Sequence, residues 1–345
     1  MQKTAVIIGA GMVARTHVAA IADSDAVRLK AICGRAPERA QSLASEAERL
    51  MGTPVAATTD VMSLAQDPEV DFAIILTPPN VRAEVIRPLA EAGKHILLEK
   101  PMGRNADESR EVVDICRAAG VTLGVVFQHR MRAASIAATE MISAGTFGAL
   151  GLVEIAVPWW RDQSYYDEPG RGTYARDGGG VLISQAIHTI DLALSLAGPV
   201  TSVRAMAATS RFHQMESEDF VTAGLQFTNG AVGSMVASTA SFPGGAESIT
   251  LHFDAASLHL ASGQLQIRWR DGREELVGAA GSTGGGADPM AFTHEWHQSI
   301  IEDFATALTE GRAPVVTGEA ALAAHDLIDA TLRSARNGQI EEISQ

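Results

Sequence analysis

The sequence predicts an α/β domain built on a parallel sheet, followed by an α+β domain built on a mostly antiparallel sheet. Over the first ~127 residues, short apolar runs alternate with amphipathic segments, which is the order of βαβ units. After that point, several β-like runs follow one another without intervening helices, joined by turns such as Asn229-Gly230 and Asp271-Gly272. A chain of 345 residues also exceeds most single cores. We therefore expect two domains, 1–127 and 128–345, and leave open whether the closing helices pack back on the first.

Each predicted element follows from its local pattern. In the first domain the strands are the apolar runs at 5–8, 27–33, 72–76, 95–98 and 122–127. The helices between them span 12–22, 37–51, 81–92 and 107–119. In the second domain we predict helices at 133–144, 181–197, 292–308 and 319–336. Its strands are predicted at 152–158, 200–209, 220–227, 231–238, 248–254, 257–260 and 265–269, with a glycine-rich loop at 278–286.

Composition excludes several classes of function. The formal net charge is -14 and no Lys/Arg run occurs, so we expect neither nucleic acid nor an anionic membrane surface as a partner. The two cysteines, Cys33 and Cys116, form no disulfide framework or zinc motif and are predicted to be small buried hydrophobes. A strand begins at Thr4 and no apolar run reaches the ~18 residues of a membrane helix. We expect a cytoplasmic protein that acts on a small molecule.

A dinucleotide-binding signature follows the first predicted strand. Gly9, Gly11 and Ala14 form a G-x-G-x-x-A pattern that opens a helix. The first glycine permits a tight turn, the second lets the backbone approach a pyrophosphate, and the small third residue packs helix on strand. Helix N–H groups then face the phosphates. We predict a Rossmann domain whose phosphate loop includes Gly9, Gly11, Met12 and Val13.

The end of the second predicted strand discriminates between the two nicotinamide cofactors. NAD users carry an Asp or Glu there for the ribose hydroxyls, whereas this strand ends in Gly34-Arg35, with Arg39 one helical turn later. A carboxylate would repel a 2′-phosphate, and an arginine fork can bind it. We predict a preference for NADP(H), with NAD(H) as the alternative.

Further motifs recur along nearly the whole chain and resemble those of the glucose–fructose oxidoreductase/inositol dehydrogenase family (Gfo/Idh/MocA). They are Thr77-Pro78-Pro79-Asn80, Ala92-Gly93-Lys94-His95, Glu99-Lys100-Pro101, Phe127-Gln128-His129-Arg130, Gly178-Gly179-Gly180, and His188 followed by Asp191. The resemblance implies a large, open, mostly antiparallel sheet that builds homodimers or homotetramers. It also implies an active site between the domains, over the nicotinamide.

The resemblance assigns roles to individual residues. In the family the lysine of E-K-P touches substrate and nicotinamide ribose, so Lys100 takes that role, while Glu99 and Pro101 shape the loop, which often has a cis Lys–Pro bond. The family histidine of H-x-x-D maps onto His188. Further cofactor contacts are implied for Thr77, Pro78, Asn80, Glu99, Lys100 and Gln128.

This chain departs from the family pattern at two positions. Many members carry an aspartate four residues before the histidine, and here that position is Ser184, which cannot act as a carboxylate base. Arg82 stands where members with T-P-N-x-x-H have histidine. We therefore predict His188 as the main general acid/base and Lys100 as the group that orients the substrate oxygen, leaving open which of the two exchanges the proton.

An aromatic and arginine-rich segment is predicted to line the substrate pocket. The predicted substrate contacts are Lys100, His129, Arg130, Trp160, Arg161, Tyr166, Arg171, Tyr174, Ser184 and His188. Asp191 is interpreted as structural, fixing His188 or a neighbouring loop. The run from His294 to His297 lacks the H-E-x-x-H spacing, so no metal is expected.

These features favour an NADP(H)-dependent dehydrogenase or reductase acting on a secondary alcohol or ketone of a sugar, sugar acid or cyclitol. A second hypothesis is oxidation of an aromatic-derived cis-dihydrodiol or related ring compound, which the aromatic segment and Ser184 make reasonable. A third, of another class, is a non-catalytic dinucleotide-sensing regulator, against which Lys100 and His188 argue.

Overall fold

The computed structural model describes residues 2–279, 281 and 293–343. The chain divides into two compact units. Unit 1 comprises Met1–Gln128 and Thr293–Leu322, and unit 2 comprises His129–Phe292 and Ala323–Gln345. The predicted division at 127/128 into functional domains stays our proposal.

Strands and helices alternate strictly along the first stretch of the chain. In order they are β1 (Lys3–Ile8), α1 (Ala14–Ala22), β2 (Val27–Cys33), α2 (Pro37–Met51), β3 (Ala56–Thr58), α3 (Val61–Ala65), β4 (Phe72–Ile75), α4 (Arg82–Glu91), β5 (His95–Glu99), α5 (Ala106–Ala118) and β6 (Leu123–Val126). Every strand except β3 and every helix except α3 lies within about two residues of its prediction. Both exceptions are too short to show a period, with three and five residues.

The rest of the chain is dominated by strands. In order follow α6 (Ala133–Ser143), β7 (Leu150–Pro158), α7 (Gln163–Tyr166), α8 (Ile187–Ala197), β8 (Val200–Ala208), β9 (Phe220–Phe227), β10 (Val232–Ser238), β11 (Ser248–Phe253), β12 (Ala256–Ala261), β13 (Gln264–Trp269), β14 (Glu274–Val277), α9 (Glu295–Glu310), α10 (Gly318–Asn337) and β15 (Glu341–Glu342). Short 3₁₀ turns lie at Pro79–Val81 and Gln128–Met131. The short elements α7, β14 and β15 were not predicted.

The two predicted sheets are both present among the described residues. Unit 1 contains a six-stranded parallel sheet in the order β3-β2-β1-β4-β5-β6. Strands β4 and β6 of this sheet are buried throughout, as strands covered on both faces are. The second sheet has nine strands in the order β14-β13-β12-β11-β7-β10-β9-β8-β15, all antiparallel except the β7–β10 pair. The predicted fold class is confirmed.

Two predicted elements differ in detail. The helix predicted at 181–197 begins as a π-helical turn (Leu182–Ala186) before α8, a feature that often occurs at functional sites. The helix predicted from 292 begins at Glu295, and Phe292 lies outside the described residues. Most of the loop predicted at 278–286 also lies outside them. No helix among the described residues is long and apolar enough to cross a membrane.

Candidate active site

The loop between β1 and α1 has the geometry of a phosphate-binding turn. Gly9 has a φ of +117°, and a Cβ there would lie 2.9 Å from the carbonyl carbon of Leu76, so the turn requires glycine. Gly11 is exposed, with nothing within 4 Å of the position of a Cβ. Val13 leaves the start of α1 without a side-chain cap. The loop therefore fits a dinucleotide, whose phosphates the first N–H groups of α1 would hold.

The carboxyl end of β2 presents two arginines. Arg35 and Arg39 are both exposed, and in the described part of the chain neither forms an ion pair. Gly34 between them and the strand is packed against Ala40, leaving no side chain at the strand end. The nearest acid of the neighbouring strand, Asp60, accepts the Met62 N–H and so caps α3. The carboxyl end of β2 is therefore open and carries two exposed positive charges.

Glu99, the last residue of β5, lies in a buried cluster of three side chains, here called the Glu99 cluster: His17, Glu99 and His297. His17 Nε2 donates to Glu99 Oε1 at 2.9 Å, and His297 Nε2 lies 3.7 Å from the same oxygen. The other carboxylate oxygen accepts the Lys100 N–H at 3.0 Å. The Lys100–Pro101 bond is cis. The cluster thus fixes the backbone that carries Lys100.

Burial and hydrogen bonding determine which side chains of the Glu99 cluster are charged. Burial raises the pKa of Glu99, but the hydrogen bond from His17 and the electrostatic interactions with His17, His297 and Lys100 together lower that pKa to about 2. Burial lowers the pKa of His297 to about 3, so that ring is neutral at pH 7 and the carboxylate depends on His17 and Lys100 instead. Glu99 is therefore an anion held inside unit 1.

Arg82, which departs from the family histidine, is also buried and binds this region. Its Nε donates to the Thr77 carbonyl at 3.0 Å, and its Nη1 donates to the Glu99 carbonyl. Burial lowers the pKa of Arg82 to about 9, although Glu99 opposes the shift. The guanidinium stays charged at pH 7 and joins the loops after β4 and β5.

The remaining predicted cofactor residues of unit 1 lie at the carboxyl ends of the central strands. Pro78 and Asn80 are exposed in the loop after β4. Thr77 Oγ1 and Gln128 Oε1 are buried, and neither has a hydrogen-bond partner among the described residues. Carboxyl ends of parallel strands are where ligands bind in this class of sheet, so these positions fit the predicted cofactor contacts.

In unit 2, His188 is the second residue of α8 and its ring stacks on that of His129. The ring centroids are 4.9 Å apart with an angle of 26° between the planes. Arg130 donates from Nε and Nη2 to the two oxygens of Asp191, at 2.7 and 2.6 Å. Asp191 therefore anchors the turn that carries His129, in line with its structural interpretation. Ser184 is half-buried in the π-helical turn.

Two arginines of the predicted substrate segment lie over Tyr165, a residue of that segment that is not among the predicted substrate contacts. Arg171 lies 4.8 Å and Arg161 5.7 Å from the centroid of the Tyr165 ring. Gln185 Nε2 donates to the Tyr165 hydroxyl at 3.3 Å, so this ring also adjoins the π-helical turn. The predicted Tyr166 instead is buried, with its hydroxyl 2.6 Å from Thr239 Oγ1. Burial raises the pKa of Tyr166 above its ordinary value.

The other two predicted aromatic residues are more open. Trp160 packs edge-on against Phe242, and its Nε1 donates to Asp162 at 3.2 Å. Tyr174 is exposed and lies beneath the guanidinium of Arg336 at 5.7 Å. The carbonyl of Trp160 accepts from Arg161 Nη1 at 2.8 Å, so Trp160 adjoins the arginines that lie over the Tyr165 ring.

His17 and His297 were missed by motif reasoning, although helical spacing carries a signal for both. His17 occurs with Ala14, Val18 and Ile21 on the buried face of α1, and His297 occurs with Ile300 on the buried face of α9. A histidine on such a face needs a polar partner. The partner comes from β5 and is distant in sequence.

The ligating atoms of the Glu99 cluster all lie within 4.8 Å of one another. Among the residues that the structure describes, this cluster is the group that could hold a metal ion. Glu99 Oε1 is occupied by the His17 hydrogen bond. The sequence expectation of no metal stays a prediction.

Comparison with known proteins places this geometry in a family. Residues 3–127 match the model of an oxidoreductase family with an NAD-binding Rossmann fold, and residues 136–259 match the GFO/IDH/MocA C-terminal domain. The chain belongs to the Gfo/Idh/MocA oxidoreductase family, as its motifs predict.

The individual relatives of this chain have low sequence identity to it. The uncharacterized oxidoreductase YrbE of Bacillus subtilis (strain 168) is 32% identical over 232 residues, covering 66% of this chain and 64% of that protein. Trans-1,2-dihydrobenzene-1,2-diol dehydrogenase of Mus musculus is 32% identical over 238 residues, covering 68% of each chain. The solved structure of levoglucosan dehydrogenase in complex with NADH and levoglucosan is 25% identical, covers 100% of both chains and has a TM-score of 0.85.

Proposed function

We propose that this protein is a dehydrogenase that transfers hydride between a nicotinamide dinucleotide and a secondary alcohol or ketone of a sugar, sugar acid or cyclitol. The observation that carries the proposal is the β1–α1 turn at Gly9, followed by a buried carboxylate, Glu99, that fixes the Lys100 backbone. The bound nicotinamide supplies the hydride acceptor or donor. The residues of the chain bind, orient and exchange the proton.

Lys100 and His188 receive separate roles in this proposal. The Lys100 ammonium orients and polarises the substrate oxygen, because its backbone is held by Glu99. The His188 imidazole exchanges the hydroxyl proton, since an imidazole can do so in either direction near neutral pH. The named activity of levoglucosan dehydrogenase, a sugar dehydrogenase structure with NADH, supports the substrate class.

The reaction is tested by incubating the protein with NADP⁺ or NAD⁺ and a panel of sugars, sugar acids, inositols and cis-dihydrodiols, and following reduced nicotinamide by absorbance. We expect turnover with one polyol class, and a loss of about 100-fold or more in kcat for His188→Ala. Full activity in that variant would remove His188 from the chemistry.

We further propose that NADP(H) is preferred over NAD(H), on the strength of the exposed Arg35 and Arg39 at the carboxyl end of β2. Arg35→Ala should weaken NADPH binding about 10-fold or more and leave NADH binding nearly unchanged. Arg28→Ala, at the opposite end of the same strand, is the matched control and should change neither. Titration of nicotinamide fluorescence measures both constants, and equal losses for NADPH and NADH would contradict the assignment.

A second candidate substrate is an aromatic-derived dihydrodiol. The murine relative named as a dihydrobenzenediol dehydrogenase favours it, as do the aromatic rings of Tyr165 and Trp160 in unit 2. Turnover of a cis-dihydrodiol, with no turnover of any sugar or cyclitol, would support this second substrate class. Tight NADPH binding without turnover in either direction would instead favour a non-catalytic dinucleotide sensor.

We also propose a homodimer or homotetramer formed through the open sheet. On neighbouring strands β7 and β10, Leu152 pairs in register with Val232, and both are exposed along with Val236. Met206 adds a further exposed apolar side chain on β8. Contiguous exposed apolar residues on a sheet face mark an interaction surface, and a second copy fits the symmetry of most oligomers.

A further inference from the structure

The proton exchange proposed above uses His188 and gives no role to His129, whose ring stacks on it. His129 lies in the 3₁₀ turn Gln128–Met131 and His188 in the first turn of α8, and their side chains are among the buried polar groups of unit 2. The rings lie nearly parallel at 4.9 Å. Two titratable groups therefore share one buried location.

The stack is held in place by contacts on both sides of His129. The neighbouring Arg130 forks onto Asp191, which lies three residues after His188 on α8. Arg132 binds Glu247 at 2.8 Å, and both side chains line a cavity of about 20 Å³ together with His129. The hydrogen bonds of Arg130 and Arg132 thus hold the turn in place, which fixes the His129 ring over His188.

Two ion pairs hold the segments next to this pair of rings. Arg130 with Asp191 and Arg132 with Glu247 each bring one positive and one negative charge. At position 184, one turn before His188, serine replaces the carboxylate that would favour the imidazolium form. Two imidazolium rings at this separation repel each other, so the pair disfavours a second proton.

We propose that His129 is a positioning residue that biases His188 toward its neutral form, so that His188 serves as the base in dehydrogenation. This inference rests on the proposed function. The substrate hydroxyl gives its proton to a ring nitrogen of His188 while its carbon gives hydride to the oxidised nicotinamide, leaving a carbonyl. His129 takes no part in the transfer of hydride or of the substrate proton; when its ring is protonated, its charge disfavours a proton on His188, which therefore remains available as a base at lower pH.

The inference is tested by the pH profile of kcat/KM for alcohol oxidation in wild type, His129→Phe and His259→Phe. Phenylalanine keeps a stacked ring but cannot take a proton, so the acid limb of His129→Phe should move to higher pH by about one unit. His259→Phe, a ring change on strand β12, should leave the limb where it is. A purely structural role for His129 would lower kcat without moving the midpoint, and an unmoved midpoint overturns the inference.

A second measurement does not depend on turnover or on the His129 variant folding. In an NMR titration of the histidine ring carbons of the wild-type protein, His129 and His188 should each titrate in two steps that mirror each other. In His188→Phe, the His129 curve should collapse to a single step. Independent single-step curves in wild type overturn the inference even if His188→Ala abolishes catalysis, and full activity of His188→Ala refutes the catalytic role separately.

Discussion

Glu99 is a buried charge that holds the backbone of Lys100, and its neighbour His297 makes the stability of the fold depend on pH. Its carboxylate accepts from His17 and from the Lys100 N–H, and the neutral His297 lies beside it. A buried anion is tolerated because each oxygen has a hydrogen-bond donor. Removing one hydrogen-bond donor would leave part of the buried negative charge without a partner. The protein would then lose more free energy of unfolding than the hydrogen bond itself contributes.

The lowered pKa of His297 predicts acid sensitivity of folding. The folded pKa of about 3 lies below the ordinary value of 6.5, so the unfolded chain binds more protons between these values. Stability is fully present above about pH 6.5 and falls as the pH drops toward 3, by up to about 1.4 kcal/mol per pH unit from this residue.

The measurement is the urea midpoint at pH 7 and pH 5 in wild type, His297→Gln and His294→Gln. Glutamine at 297 cannot take up a proton, so the difference between the two pH values should shrink. His294→Gln alters a more exposed histidine directly before the same helix and should keep the wild-type difference. An undiminished difference in His297→Gln would contradict the buried neutral imidazole.

At the scale of elements, the segment that carries His188 is capped by an acid from the loop before β9. Glu218, which is buried, accepts from the Gly180 N–H at 3.2 Å to each oxygen and from the Leu182 N–H at 3.2 Å. Burial raises the pKa of Glu218, and these backbone hydrogen bonds oppose the shift. The π-helical turn thus starts at a fixed position, which sets where α8 places its histidine.

This close approach explains the last glycine of the Gly178–Gly180 run. A Cβ on Gly180 would collide with the Glu218 backbone. Gly180→Ala should therefore lower the free energy of unfolding by about 3 kcal/mol and reduce soluble yield. Gly224→Ala, on β9 with nothing within 4 Å of the new Cβ, should be tolerated. Chemical denaturation compares the two, and equal stability of both variants would contradict this packing.

At the scale of the whole molecule, the open sheet carries the face through which we propose that copies associate. The apolar residues Leu152, Val232 and Val236 lie on one face of adjacent strands, and that face is exposed in the single chain. Burying them against a second copy would remove apolar area from water, which drives most association.

The double variant Val232→Asp with Val236→Asp should therefore run as a monomer of 36.3 kDa in size-exclusion chromatography with light scattering, whereas the wild type runs as a larger species. Met62→Asp, another exposed apolar position in α3, should keep the wild-type mass. A wild-type protein that is itself monomeric would refute the interface.

The sequence by itself determined the order of the longer elements, both sheet types and the glycine-rich turn after β1. Periodicity carries that information locally, because a buried strand, an amphipathic helix and a glycine-rich turn each follow from neighbouring residues. The resemblance added Lys100 and His188, which no local pattern would have selected, and the departures at Arg82 and Ser184.

Only the tertiary structure decided which side chains meet. The partners of Glu99, at positions 17 and 297, and the stacking of His129 on His188 join residues far apart in the sequence. Likewise it placed Tyr165 rather than Tyr166 beneath the arginines, since one residue along a short helix moves a side chain from a half-buried position into the core. Contacts between distant segments depend on how whole elements pack, and a pattern within one element does not specify them.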